Sequence, residues 1–267
     1  MSQRVPYPFD PDDPRAPSVD DWARMTEAEH AQVVANLPAE VPFDLAPPDG
    51  DAHRKAKESV LDALGAFFRR TGRRVYLSSE LAVYYPNEPR FAPDILAVVD
   101  APTHERDRWV VSAEGKGLDL VIEILVHGDS TKDLERNVVR FARLGIREYF
   151  VFDRGRSRLR GYALSDANAR AYRPILPQDG RLASQVLGLD LVLEGQKIRF
   201  YLGTAPLQES EELIGKLGVM VNDLIAKKDD ESRRIEEAEH RAEAEAQRAD
   251  EAERRVRELL AEIERTR

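Results

Sequence analysis

Two acidic residues, Asp94 and Glu123, lie in segments that otherwise have the composition of buried strands. Asp94 follows Pro93 at the start of I-L-A-V-V, and Glu123 lies inside L-V-I-E-I-L. A buried carboxylate is costly unless it is paired, hydrogen-bonded or bound to a metal. Two carboxylates on neighbouring strands favour a Mg²⁺ site, with Mn²⁺ as the alternative cation. The competing interpretation is structural: Asp94 caps its strand and Glu123 pairs with an arginine.

Three further residues are candidates for the same site. His53 and Glu58 fall near the start of a helix predicted from Asp51 to the Thr71-Gly72 boundary, and Glu80 falls in the turn between two short strands. Each has an ordinary alternative, since a histidine at a helix start is often solvated, a helix glutamate is often exposed, and a turn acid often faces water.

Four motifs in order resemble a known family. They are Pro93-Asp94, V-I-E-I-L around Glu123, Asp133, and L-G-I-R-E-Y-F-V-F-D from Leu144 to Asp153. This set is similar to a widespread bacterial family of restriction-endonuclease-like proteins in the PD-(D/E)xK nuclease superfamily, over roughly residues 53–202. The resemblance implies an α/β restriction-endonuclease-like core, with a central mixed sheet flanked by helices. It also implies that Asp94 and Glu123 hold Mg²⁺ for hydrolysis of DNA phosphodiester bonds.

The chain departs from this pattern at the position of the catalytic lysine of the pattern, which it lacks. In the superfamily a lysine follows the second acid by two residues, and Leu125 stands there. In the resembling family the lysine lies on the next helix, where this chain has Asn137. Asparagine carries no charge with which to stabilise a developing oxyanion. Lys132 and Arg136 are the nearest cations, so we expect Asn137 or Lys132 to orient water or phosphate.

Other basic residues could contact the nucleic-acid backbone. Asp133, Asn137 and Arg140 are spaced four and three apart, and therefore share one face of a helix that ends at Gly145. If that face is turned towards the acids, Arg136 or Arg140 could hold phosphate; if it is turned to solvent, they are surface residues. Lys116 lies in a polar segment at 100–117, which could contact phosphate or form a solvated loop.

The charge distribution permits a nucleic-acid partner. The 267-residue chain has a net charge of −9, but residues 51–206 carry 25 basic and 21 acidic side chains, so the flanks supply the acid. Because phosphate binding depends on lysine and arginine, the central segment is the part suited to DNA. An ordinary charged surface has the same composition.

Several classes of protein are excluded or disfavoured. The chain has no cysteine, which excludes disulfide scaffolds, thiolate metal sites and cysteine nucleophiles. It shows no apolar run near membrane-spanning length and no signal-peptide pattern, so we expect a cytoplasmic protein with no membrane partner. No P-loop, GxSxG, HExxH or GxGxxG motif offers a competing chemistry.

The pattern predicts three regions. Residues 1–50 form an irregular arm with a short helix, residues 51–206 form the nuclease domain, and residues 207–267 form a helical tail. The predicted strands of the central region lie at 75–77, 81–85, 93–99, 118–126 and 148–152, followed by an antiparallel extension of the same sheet. Glu148, which opens the last of these strands, is predicted to be an ion-pair partner.

The tail has the pattern of a coiled coil. From Ile235, apolar residues recur at alternating spacings of three and four, interrupted at Glu245. We expect a homodimer through this helix, whereas a lone solvated helix is the alternative. Two functional hypotheses remain: a Mg²⁺-dependent DNA endonuclease, or a catalytically silent nuclease fold that binds nucleic acid or protein and assembles through its coil.

Overall fold

The computed structural model describes residues 12–42, 50–125 and 132–265, together with Tyr7 and Asp10. Within these ranges the side chains of residues 132–134, 211, 263 and 264 lie outside the description. The chain divides into two compact units, Met1–Ser210 and Glu211–Arg267.

The first unit is built on a six-stranded mixed sheet with the strand order β1-β3-β5-β6-β7-β8. β5 and β6 pair in parallel, and every other neighbouring pair in this sheet is antiparallel. The α/β class and the mixed central sheet predicted from the sequence are therefore confirmed. The strands are β1 (Val75–Ser78), β3 (Ile95–Val99), β5 (Leu120–Leu125), β6 (Glu148–Asp153), β7 (Arg158–Leu164) and β8 (Tyr172–Pro174).

Helix α3 (Asp51–Thr71) covers one face of this sheet. Its apolar residues recur every three or four positions, so they form one stripe that packs against alternate residues of β3 and β5. The helix ends at Gly72, whose φ of 69° is the left-handed conformation that favours glycine. The stripe comprises Ala56, Val60, Ala63, Leu64, Phe67 and Phe68.

The opposite face of the sheet is covered by α5 (Val138–Arg143), which continues from a π-helical turn at Lys132–Asn137, and by a small second layer. That layer is a parallel pair of β2 (Ala82–Tyr84) and β4 (Arg108–Val110), and β4 leads into the short helix α4 (Val111–Glu114). The sequence predicted a polar loop at 100–117. The segment is ordered instead because Trp109 is fully buried, with its Nε1 donating to the carbonyl of Lys116 at 2.9 Å.

A second antiparallel sheet follows the main one in the chain. It has the order β12-β11-β10-β9 and consists of β9 (Leu182–Ser184), β10 (Leu189–Glu194), β11 (Lys197–Leu202) and β12 (Ala205–Pro206). The predicted extension of the main sheet is therefore right for β7 and β8 and wrong for these four strands. Glu148 is buried and accepts hydrogen bonds from Ser184 Oγ and from the backbone N–H groups of Gln185 and Val186, rather than the predicted ion pair.

The N-terminal segment packs on the small β2–β4 sheet. It contains α1 (Val19–Arg24) and α2 (Glu27–Asn36), and Thr26 and Glu29 form the capping box expected at the start of α2. Arg108 of β4 donates to the carbonyls of Val34 and Leu37, which end this helix. The segment thus belongs to the packed structure of the first unit.

The second unit consists of α6 (Ser210–Arg265), whose first residue, Ser210, is counted with the first unit. The predicted long C-terminal helix is confirmed, whereas its pairing into a coiled coil stays a prediction. Its apolar side chains, among them Leu217, Met220 and Leu224, are exposed in the single chain. Among the helices of the described residues, none combines the length and apolar character needed to cross a lipid bilayer.

Candidate active site

Asp94 lies directly before β3, and Glu123 lies near the end of the neighbouring strand β5. β3 and β5 pair antiparallel with Ile95 opposite Ile122, so the next positions, 94 and 123, face each other. The N–H of Asp94 lies 3.4 Å from Glu123 Oε2, and Asp94 Oδ2 accepts from the N–H of Ile124 at 2.7 Å. The Asp94 side chain is 14% exposed. The strand register therefore places residues 94 and 123 opposite each other, with the Asp94 side chain mostly buried.

Helix α3 adds a histidine to this pair. His53 Nε2 lies 3.0 Å from Asp94 Oδ2, which also accepts from Ile124 N–H. His53 reaches the strand from the first turn of the helix. Glu58, the other candidate of α3, is exposed and pairs with Arg54 at 2.6 Å, so it makes a surface contact along the helix.

An ion pair between a buried lysine and a partly exposed glutamate lies next to the same strand entry. Lys57 Nζ is 2.7 Å from Glu80 Oε1, and the N–H of Glu80 donates to the carbonyl of Pro93 at 2.9 Å. Glu80 has a φ of 51°, an uncommon conformation for a residue other than glycine. Sequence reasoning named Glu80 but missed Lys57. The available signal was spacing, since Lys57 follows His53 by one helical turn and shares its face.

We call His53, Lys57, Glu80, Asp94 and Glu123 the acid cluster. A carboxylate pair and an imidazole are donor types that divalent cations accept. In the described part of the chain, no three histidine, aspartate or glutamate side chains converge closely enough to form a ready coordination set. The acid cluster thus offers a partial ligand set, which water and an anionic oxygen would complete.

The predicted replacements for the missing lysine lie differently. Leu125 packs with the apolar residues on the α5 side of the sheet, and Asn137 is half-buried at the start of α5. The side chain of Lys132 and the whole of residues 126–131 lie outside the described residues. Lys116 is bound elsewhere, since its Nζ lies 2.5 Å from the carbonyl of Val99 and 3.2 Å from Asp119 Oδ2.

A groove of about 840 Å³ runs beside α5 and carries a positive excess. Among its walls are four arginines and two glutamates: Arg15, Arg136, Arg140, Arg143, Glu88 and Glu135. We call it the arginine groove. Asn137 also lines it, whereas, within the described residues, no member of the acid cluster does.

The arginines of this groove differ in how firmly they are held. Arg140 donates to the carbonyl of Pro89 and its guanidinium lies 4.7 Å from the centre of the Phe91 ring. Burial lowers the pKa of this guanidinium from its ordinary value. Arg143 pairs with Glu88 at 2.7 Å, whereas the Arg136 side chain is exposed. Arg136 is therefore the candidate placed to meet a ligand in solution.

Comparison with known proteins identifies the family of this chain. The family model described as "Uma2: Putative restriction endonuclease" matches residues 19–194. A crystal structure of a "putative nuclease" from Anabaena variabilis is 15% identical, with a TM-score of 0.44, and the match covers 56% of this chain and 81% of that one. None of the curated proteins compared with the chain matches it. Because the family model spans more than half of the sequence and includes α3 and both acid-bearing strands, the chain belongs to the Uma2 family.

Proposed function

We propose that this protein is a Mg²⁺-dependent endonuclease that hydrolyses phosphodiester bonds in DNA. The observation that carries the proposal is the pair formed by Asp94 and Glu123 across β3 and β5, with the Asp94 N–H lying 3.4 Å from Glu123 Oε2. Membership of a family described as restriction endonucleases supports the same reaction class.

Asp94 and Glu123 would hold the cation. The N–H of Ile124 and the ring of His53 both contact Oδ2 of Asp94. These contacts fix the orientation in which the carboxylate would meet a cation. Carboxylates at facing positions of two paired strands repel each other, and a divalent cation between them would relieve that repulsion. When bound, the cation would lower the pKa of a water molecule and polarise the phosphate. Mn²⁺ accepts the same oxygen ligands.

The arginine groove is the surface we assign to the DNA backbone. Its four arginines outnumber its two glutamates, and Arg136 is exposed there. Arginine forms bidentate hydrogen bonds with phosphate, and such contacts position a duplex without reading its sequence. Arg140, fixed against Pro89 and Phe91, would act as a rigid wall of this surface.

A catalytically silent nuclease fold is the second candidate. It is favoured by Leu125 and Asn137, two uncharged residues at the places where the family resemblance noted in the sequence implies a lysine. Such a protein would bind nucleic acid or a protein partner without cutting. In either case we propose a homodimer through α6, whose exposed Leu217, Met220 and Leu224 recur at helical spacing.

Cleavage of supercoiled plasmid DNA tests the proposal. The wild type is compared with Asp94→Asn and Glu123→Gln in Mg²⁺, in Mn²⁺ and in EDTA. Asp100→Asn is the matched control, because Asp100 is an exposed acid directly after the other end of β3. We expect cation-dependent nicking by the wild type and the control, and a loss of at least about 100-fold in both acid variants. Binding without cutting under either cation would favour the silent fold.

A further inference from the structure

Lys57 is the exceptional residue on the buried face of α3. The other buried residues of this helix are Ala56, Val60, Ala63, Leu64, Phe67 and Phe68, all of them apolar. The Lys57 side chain is only 6% exposed. Burying an ammonium group costs several kcal/mol, and an apolar residue in its place is often neutral or stabilising. A lysine at this position therefore calls for a role beyond packing.

The contacts of Lys57 connect it, through Glu80, to the residues directly before β3. Its Nζ pairs with Glu80 Oε1 at 2.7 Å, and the backbone N–H of Glu80 is bonded to the carbonyl of Pro93. One turn earlier on the same helix, His53 contacts the carboxylate of Asp94. Two successive turns of α3 thus connect to the residues at the start of β3. Lys57 does so through Glu80, which binds the carbonyl of Pro93, and His53 does so through the carboxylate of Asp94.

The charge balance of the acid cluster explains why a lysine would be useful. Three acidic residues, Glu80, Asp94 and Glu123, have contacts around the start of β3. Such a set attracts a divalent cation but repels the phosphate that must approach it. Neither Lys116 nor Arg140 relieves this repulsion, because each is bound to backbone carbonyls at other places.

We propose that Lys57 is a positioning residue of this site. Its fixed positive charge, paired with Glu80 beside Pro93, offsets the carboxylates so that an anionic phosphodiester can approach the acid cluster after the cation has bound. The inference rests on the proposed function and deepens it. It has a distinctive consequence: removal of the charge strengthens cation binding and weakens use of DNA. A purely structural lysine would weaken both when replaced.

The test uses the full chain with Lys57→Met, which keeps the length of the side chain and removes its charge. Lys57→Arg keeps the charge, and Lys55→Met is the control because Lys55 is exposed on the same helix. Calorimetric titration of the DNA-free protein with Mn²⁺ gives the cation affinity. Cleavage of a labelled duplex in Mn²⁺ gives kcat and KM separately.

We expect Lys57→Met to bind Mn²⁺ at least about threefold more tightly and to raise KM for DNA at least about fivefold. Lys57→Arg and Lys55→Met should stay within about twofold of the wild type in both quantities. Equal or weaker Mn²⁺ binding by folded Lys57→Met would overturn the role of Lys57 while leaving the proposed enzyme intact.

Failure of the proposed function gives a different result. If the wild type shows no saturable Mn²⁺ binding and no cleavage, the metal site is absent and the role of Lys57 falls with it. If Lys57→Met lacks the circular dichroism of the folded wild type, Lys57→Gln replaces it and is judged by the same two measurements.

Discussion

The carboxylate of Asp94 and the imidazole of His53 lie 3.0 Å apart, although one stands at the entry of a central strand and the other in the first turn of α3. This contact connects the helix directly to the proposed cation site. We expect His53 to fix the direction of this carboxylate, as residues that contact metal ligands commonly do.

Replacing His53 by alanine should slow cation-dependent DNA cleavage by about 10- to 100-fold, because Asp94 loses the partner that orients it. The measurement is the initial rate of plasmid nicking at saturating Mg²⁺. His104→Ala is the control, since His104 is exposed. An unchanged rate in a folded His53→Ala protein would remove His53 from the site.

Replacing Arg136 by alanine should weaken DNA binding without changing sequence preference, because a phosphate contact carries no base information. We expect the slope of log K against log salt to become shallower by about one unit. Fluorescence anisotropy with two unrelated duplexes at several salt concentrations measures both effects. Arg170→Ala, at another exposed arginine, should keep the wild-type slope. The arginine groove is the wrong surface if both variants behave alike.

Glutamate at both Leu217 and Leu224 should prevent self-association through α6. Both side chains are more than half exposed in the single chain, so a partner helix would bury them, and a buried unpaired carboxylate opposes pairing. Sedimentation velocity should show a dimer for the wild type and at least about tenfold weaker association for the double variant. Gln247→Glu adds a charge elsewhere on the same helix as the control. A wild type that sediments as a monomer would contradict the proposed dimer.

Asp62 should make stability depend on pH. It accepts hydrogen bonds from the hydroxyl and the N–H of Ser210, and these bonds lower the pKa of its carboxyl below the ordinary value of 3.8. A lowered pKa means that its stabilisation is fully present above that ordinary value and is lost as the pH falls through the folded-state pKa.

Asp62→Asn should therefore lower the free energy of unfolding by about 1 kcal/mol at neutral pH. The difference should shrink once the pH is well below 3.8. Urea unfolding at both pH values measures it. Ser210→Ala and the double variant complete a cycle, and additive losses would show that the two residues do not interact.

Much of this framework could be predicted because its signals are local. The apolar period of α3, the run of β-branched and aliphatic residues in β3 and β5, and the glycine after α3 each act within a few residues. Asp94 and Glu123 could be singled out because a carboxylate inside such a run is costly.

The parts that escaped prediction depend on distant partners. Lys57 falls on the apolar stripe of α3, but its partner Glu80 follows β1 in the chain, so the ion pair that accommodates a lysine there cannot be recognised from the sequence of the helix alone. Trp109 lies in a polar stretch, and its burial depends on the parallel pairing of β4 with β2. Similarly, β9 to β12 alternate like the strands before them, and nothing in that alternation tells which sheet they join.

The packing of the N-terminal segment on β2 and β4 bears on where a shortened form of this protein could begin. Ala16 bridges to Pro86, and the hydroxyl of Tyr84 donates to the carbonyl of Pro38. Ala82, Tyr84 and Val110 are buried against residues of this segment. A minimal folding unit must therefore start ahead of Ala16. A version cut at the start of α3 would keep the acid cluster. It would expose the apolar residues of β2 and β4 that this segment covers, and we expect it to aggregate.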